Sequence, residues 1–210
     1  QHNYRVILAV KGRKPVAYRL LDQNDISTVV EKLNCRDVVI NELVSYPALA
    51  DFLDYLVKFK KDQPDLQYTY ITHDYYSICP SFHLLDHTGK YCGIPEDLAR
   101  CDACLSRNPK AQDGLGAFGY GAESGKMAAW RGKFRSMLEV CDRITCFSKN
   151  SHELLLRAYP GLKTPVEVTP HEVGWMRKVN INKTSDRLNI AVIGYLTEIK
   201  GAAQVVALAR

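Results

Sequence analysis

The residues best suited to chemistry fall between Ile71 and Cys104. The run Ile71-Thr72-His73-Asp74-Tyr75-Tyr76-Ser77-Ile78-Cys79-Pro80 sets a His-Asp pair at the end of the apolar stretch Tyr68 to Thr72, and Cys79, Cys92, Cys101 and Cys104 follow it. A buried strand ending in this way delivers polar side chains to a sheet edge, where open α/β sheets keep their ligand crevice. His73 is suited to act as a general base, an oxyanion donor or a hydrogen-bonding group for a substrate. Adjacent residues of an extended chain point to opposite sides, so His73 and Asp74 are not a dyad by sequence proximity alone. The plainer reading of His73 is a cap for backbone groups at the sheet edge.

The four cysteines have the spacing C-x12-C-x8-C-x2-C. Cys101 and Cys104 form a knuckle-like pair, and four thiolates would make the tetrahedral site that zinc favours. One C-x2-C stands where a zinc pattern usually has two. Structural zinc, one or two disulfides and free thiols therefore all stay open. His83 and His87 are spare ligands, and Cys35, Cys141 and Cys146 lie among apolar neighbours as core residues. The segment around the four cysteines is polar, so it is expected to be irregular and to need a metal or a crosslink for order.

Further along, Gly114-Leu115-Gly116-Ala117-Phe118-Gly119 matches G-x-G-x-x-G, but Asn108 to Asp113 before it is no strand. Without a strand feeding a helix N-terminus the match does not describe a dinucleotide site. Gly125-Lys126 lacks the first glycine and the Ser or Thr of a P-loop. The stretch Asn108 to Gly125 reads as a glycine-rich loop. Trp130, Arg131 and Arg135 open the next helix; the i, i+4 spacing puts both arginines on one face, as an anion or sugar contact or simply as a solvated basic face.

The elements that must position these residues alternate. Tyr4 to Val10 and Pro15 to Leu21 read as a hairpin. A helix capped at Asn24 or Asp25 follows, then a strand at Asp37 to Asn41, and a helix entered at Pro47 with Leu49, Phe52, Leu53, Leu56 and Phe59 on one face. Next come a strand at Tyr68 to Thr72, a helix at Lys126 to Val140, a strand at Arg143 to Phe147, a helix capped at Ser148 or Asn150, and a strand at Val166 to Thr169. Residues Lys178 to Asp186 read as a linker, Leu188 to Gly194 as a new strand and Lys200 to Arg210 as a helix. The alternation predicts an α/β protein with a parallel sheet.

The composition fits this class. Of 210 residues 46% are hydrophobic and 24% charged, which suffices for one full core and the start of a second. The 28 basic and 23 acidic residues give a net charge of +5 without clusters, and no nucleic-acid partner is expected. The mild basic bias also suits phosphorylated small molecules or peripheral association with an anionic membrane surface. With no apolar run of spanning length and no signal segment, the expected location is the cytoplasm. Seven cysteines are an odd number, against a complete disulfide framework.

Thr72 to Pro80, the cysteine segment, Trp130-Arg131, Asp142 to Ser148, and Ile190 to Gly194 with Lys200-Gly201, in this order, resemble bacterial glycosyltransferases of the GT-B type, family 4, from about Asp37 onward. The resemblance implies a retaining hexosyltransferase of polysaccharide biosynthesis, built from two Rossmann-like three-layer domains that face each other across a cleft. Residues 1–177 would form most of the acceptor domain, with a Cys-rich insertion at 75–108, and residues 187–210 the first β-α unit of the donor domain. It further implies a nucleotide-sugar donor, a saccharide or lipid-linked acceptor, His73 and Asp74 in the cleft, Trp130, Arg131 and Arg135 toward the acceptor, and Lys200 and Gly201 at the donor diphosphate. The family's Gly-rich loop after the first strand is absent, and Tyr195 stands where many relatives carry an Arg. The family's acidic donor motif would fall beyond Arg210. The chain is thus expected to be an inactive piece of a larger enzyme whose unfinished donor unit docks on its own acceptor domain or pairs in a homodimer. The rival expectation is a non-catalytic zinc-knuckle module that binds protein or nucleic acid.

Overall fold

The computed structural model describes residues 4–8, 14, 16–20, 22–44, 46, 48–117, 126–172, 174, 195–197 and 200–208. The chain divides into two compact units, Gln1–Pro170 and His171–Arg210. In the first unit β1 (Tyr4–Leu8) and β2 (Val16–Leu20) form an antiparallel pair, with Tyr4 opposite Leu20 and Leu8 opposite Val16. Helix α1 (Asp25–Lys32) has Asn24 at its N-cap position without a side-chain bond. Then β3 (Asp37–Ile40), α2 (Leu49–Asp62) and β4 (Gln67–Thr72) alternate as the hydrophobic spacing predicts. Three helices follow, α3 (Leu98–Leu105), α4 (Pro109–Ala117) and α5 (Lys126–Val140). The unit closes with β5 (Arg143–Cys146), α6 (Lys149–Ala158) and β6 (Val166–Val168).

Strands β3, β4, β5 and β6 lie side by side in chain order, all parallel, which makes this a mixed α/β protein with a four-stranded parallel sheet and seven helices among the described residues. The register aligns Ile40, Tyr70 and Ile144, and also Thr72 and Cys146, on one face, where all five are buried. The alternate positions are more open: Asp37, Gln67, Arg143 and Glu167 are exposed and Val39 is 56% exposed. Parallel sheets usually bury both faces. Among the described residues only one face of this sheet carries the continuous core. At the amino ends of β4 and β5, Asp142 accepts the Tyr68 amide at 2.6 Å, and Lys60 pairs with Asp142 at 3.0 Å while lying over the Tyr68 ring.

Two sequence expectations change. Asn108 to Gly125 is not a loop throughout, because residues 109 to 117 form α4. Asn108 caps that helix by accepting the Lys110 amide at 3.1 Å, and Pro109 sits at the first helical position, where no amide hydrogen is needed. Gly114 lets α4 approach the sheet-edge turn: a Cβ there would lie 3.0 Å from the Tyr76 ring and 3.1 Å from Pro80. The cysteine segment is irregular from His73 to Asp97, as expected, but it is not set apart from the core by its polarity. Tyr76, Ile78, Leu84, Ile94, Cys101 and Leu105 all belong to the main core, and Cys101 and Cys104 ride on α3. Its apolar residues are spaced without a period, which is why sequence patterning underrates them.

In the second unit, α7 (Ala202–Leu208) accounts for the expected helix after Lys200, and none of its side chains is buried. Pro47, the linker at 178–186 and the strand at 188–194 lie outside the described residues.

Gly114→Ala is expected to cost about 1–3 kcal/mol, because the methyl must push against an aromatic ring that is itself locked in the core. Urea unfolding with an unchanged m-value would read this cost as a lower midpoint. Gly116→Ala, where a Cβ meets nothing within 4 Å, is the control and should leave the midpoint unchanged or raise it.

Candidate functional site

The site forms where the sheet's carboxyl edge meets the turn after β4. Ile40 pairs with Tyr70 and Thr72 with Cys146, close to where β3, β4 and β5 end. Glu42, His73 with Asp74, and Ser148 follow within two residues of the ends of these three neighbouring parallel strands. Strand β4 stops in a tight turn in which the His73 amide donates to the Ile71 carbonyl at 2.9 Å. Asp74 then accepts the Tyr76 amide at 2.8 Å, the local bond by which an aspartate turns a chain. His73 is exposed and Asp74 half-buried.

Three consecutive carbonyls of the next turn are held by side chains from other elements. The Trp130 indole N–H donates to the Tyr76 carbonyl at 2.9 Å, the Tyr159 hydroxyl to that of Ser77, and Arg131 Nε to that of Ile78 at 3.2 Å. The Tyr76 ring meets Trp130, Phe134 and Phe82 edge-on, with centroids 4.9, 6.2 and 6.4 Å away. This grip fixes Asp74 on one side of the turn and Cys79 on the other.

Burial pushes the Asp74 carboxyl above the usual carboxylate range; the Tyr76 amide works against this, Glu42 adds to it, and His73 and His83 oppose it. Burial, with Lys110, pulls the His83 imidazole below its ordinary value while Asp74 supports its charge, and its ring lies 4.1 Å from that of Phe82. Two carboxylates and two imidazoles thus act on one another at this edge. On the neighbouring strand Ser148 caps α6 by accepting the Ser151 amide at 3.1 Å, and the Tyr75 hydroxyl lies 3.4 Å from that of Ser151. Such an edge can bind sugar hydroxyls, and its carboxylates can favour positive charge developing on a ligand.

Sequence reasoning placed His73 and Asp74 at this edge and missed Glu42. The signal was there: Asn41-Glu42 follows a neighbouring apolar strand just as His73-Asp74 follows β4. His83, a spare metal-ligand candidate in the sequence, lies where its charge and that of Asp74 act on each other. Trp130 is fully buried, so it packs the core and cannot reach an acceptor from that position. Arg131 holds the Ile78 carbonyl, and Arg135 bonds Glu139 at 3.2 Å and the Pro160 carbonyl at 3.0 Å over the Tyr159 ring. All three residues hold the turn or its supports. Lys200 is exposed and its amide donates to the Thr197 carbonyl, and Gly201 has φ +83°, a left-handed conformation that favours glycine. Both lie in the second unit.

All seven cysteines are free. Cys141 and Cys146 are buried as expected, and Cys35 is half-buried. Among the described residues no group of three or more His, Cys, Asp or Glu side chains is arranged to hold a metal ion, and no helix is long and apolar enough to cross a membrane. No protein-family model, curated protein or solved structure matches the chain.

Because burial raises the Asp74 proton affinity, the native state holds that proton to a higher pH than the unfolded chain does. Stability from this group therefore falls as pH rises from the unfolded carboxylate value, about 4, through the higher native value. Asp74→Asn keeps an oxygen for the Tyr76 amide and removes the buried charge. Its melting temperature is expected to exceed that of wild type by a few degrees at neutral pH and to converge with it below about pH 4. A variant less stable than wild type at pH 7 would show that the charge stabilises the turn. Tyr159→Phe deletes only the hydroxyl on the Ser77 carbonyl and should cost about 1–3 kcal/mol in chemical unfolding, with secondary structure retained.

Proposed function

We propose that this protein is part of a retaining glycosyltransferase of the GT-B, family 4 type, moving a sugar from a nucleotide-sugar to a saccharide or lipid-linked acceptor. One observation carries the reading: Glu42, His73, Asp74 and Ser148 lie just past the carboxyl ends of three neighbouring parallel strands, with Asp74 held above the usual carboxylate range by burial and acted on by Glu42 and His73. The order of motifs from Thr72 to Gly201 supports it independently. Residues up to Pro170 would serve the acceptor side, and Lys200 with Gly201 the donor diphosphate. In the complete enzyme a third layer would cover the open face of the sheet that carries Val39, giving the usual two-sided arrangement.

The roles follow from the surroundings. His73, exposed at a strand end, would bond a hydroxyl of the transferred sugar and fix its orientation. Asp74 and Glu42 would favour the positive charge that develops at the anomeric carbon as the bond to the diphosphate breaks. Positioning and charge stabilisation of this kind are what such a transfer asks of a protein. Arg131 and Arg135 would act through the turn they brace.

The test is transfer from labelled nucleotide-sugars by the natural full-length protein. His73→Ala is expected to lower the transfer rate roughly 10²-fold with the fold intact by circular dichroism. Transfer within a few fold of wild type would remove His73 from the site, and no transfer from any nucleotide-sugar by the unaltered protein would remove the reading.

A further inference from the structure

We propose that Lys126, the first residue of α5, binds the phosphate group of a ligand lying over the carboxyl edge of the sheet. The inference rests on the placement of Lys126 and not on the transferase reading. It adds a cationic contact to an edge otherwise described by its carboxylates, imidazoles and hydroxyls.

Helix α5 places the residue. It has 15 residues, about 22 Å of helix, whereas β5 after it has 4, about 13 Å of strand. Just after its end, at the amino ends of β4 and β5, the Asp142 amide donates to the Tyr68 carbonyl at 2.9 Å. The helix therefore runs against the strands, and its first turn overhangs their carboxyl ends. Trp130, one turn into the helix, agrees with this placement, because its indole N–H reaches the Tyr76 carbonyl just past Asp74. Lys126 precedes Trp130 by one turn, so the two share a face. Helical side chains lean toward the N-terminus, so that of Lys126 extends away from Trp130 and past the start of α5.

Its surroundings leave the ammonium without a counter-charge. Lys126 is only 6% exposed, yet among the described residues it has no hydrogen bond and no ion pair. A lysine is almost never buried to this degree unless it is paired. Asp102 of α3 comes close, but its carboxylate accepts the Met127 amide at 2.9 Å and makes no ion pair with Lys126. The first turn of α5 holds no acidic residue. Lys126 Nζ is not among the fully enclosed, unpartnered polar atoms of the described residues, so a dissolved anion can reach it. The positive end of the helix dipole adds to the charge of the ammonium at the same place. Burial of the stem holds the ammonium there in advance, so little ordering remains to be done when a ligand arrives. Helix N-termini favour phosphate, and lysine binds that group as a point charge, so both features select the same ligand chemistry.

The experiment follows thermal unfolding of the whole chain at fixed ionic strength as inorganic phosphate replaces chloride. Wild type is expected to gain a few degrees more than Lys126→Met, in which a side chain of similar volume keeps the packing and loses the charge. Without phosphate Lys126→Met should melt at or above the wild-type temperature, because a buried charge with no partner destabilises the fold. Calorimetric titration with inorganic phosphate should show binding at least about tenfold weaker in Lys126→Met. Acetylation of the native wild-type protein, read lysine by lysine, should be slowed by phosphate at Lys126 and not at Lys133. An equal gain from phosphate in both proteins would overturn the proposal, as would unchanged acetylation of Lys126 in phosphate. So would Lys126→Met melting well below wild type without phosphate, since the ammonium would then be paired within the fold. Sugar transfer by the full-length protein with no phosphate effect at Lys126 removes this inference alone, and phosphate binding at Lys126 without transfer removes the transferase reading alone.

Discussion

A buried turn must find partners for its backbone, and here three carbonyls in a row find them in side chains. Tyr76, Ser77 and Ile78 lie below the surface with no sheet or helix to complete their hydrogen bonds. Leaving such a group unpaired costs about 1–3 kcal/mol each. Trp130 and Arg131 come from α5 and Tyr159 from the end of α6, so the turn can hold its shape only when both helices are packed on the sheet.

Much of the unit follows from that junction. Tyr76 packs edge-on against Trp130 and Phe134, and Gly114 brings α4 against its ring. Lys133 of α5 pairs with Asp54 of α2, which joins the two helices over the sheet. At the opposite ends of the strands, Asp142 is pulled below the usual carboxylate range: burial alone would raise it, but the Tyr68 amide and the Lys60 ammonium outweigh that. One strand end is thus closed by a satisfied ion pair. The other keeps Asp74, whose charge is poorly supported.

The sheet itself is lopsided. Its strands run in chain order without a reversal, so the described strands contain no switch point at which a crevice would open between diverging connections. The candidate site instead lies over the edge, between the ends of three strands and the N-terminus of α6. The face with Val39 and Arg143 is the more exposed of the two.

How much of this the sequence determined depends on whether the signal was periodic. Amphipathic runs such as Leu49 to Phe59 and the apolar stretches at Asp37, Tyr68 and Arg143 fix helices and strands by themselves, because a repeat of 3.6 or a short buried run has one low-energy solution. The position of His73 and Asp74 at a strand end was legible for the same reason. The cap at Asn108 with Pro109 was also present in the sequence, but glycines at 114 and 116 masked the helix it begins. Gly114 serves close packing against Tyr76, a contact made across 38 residues of chain. Only the tertiary structure showed Trp130 turning inward to the Tyr76 carbonyl and Glu42 arriving where its charge acts on Asp74. Each of these joins residues that chain spacing leaves independent, and strand register, helix packing and the pairing of buried carbonyls bring them together.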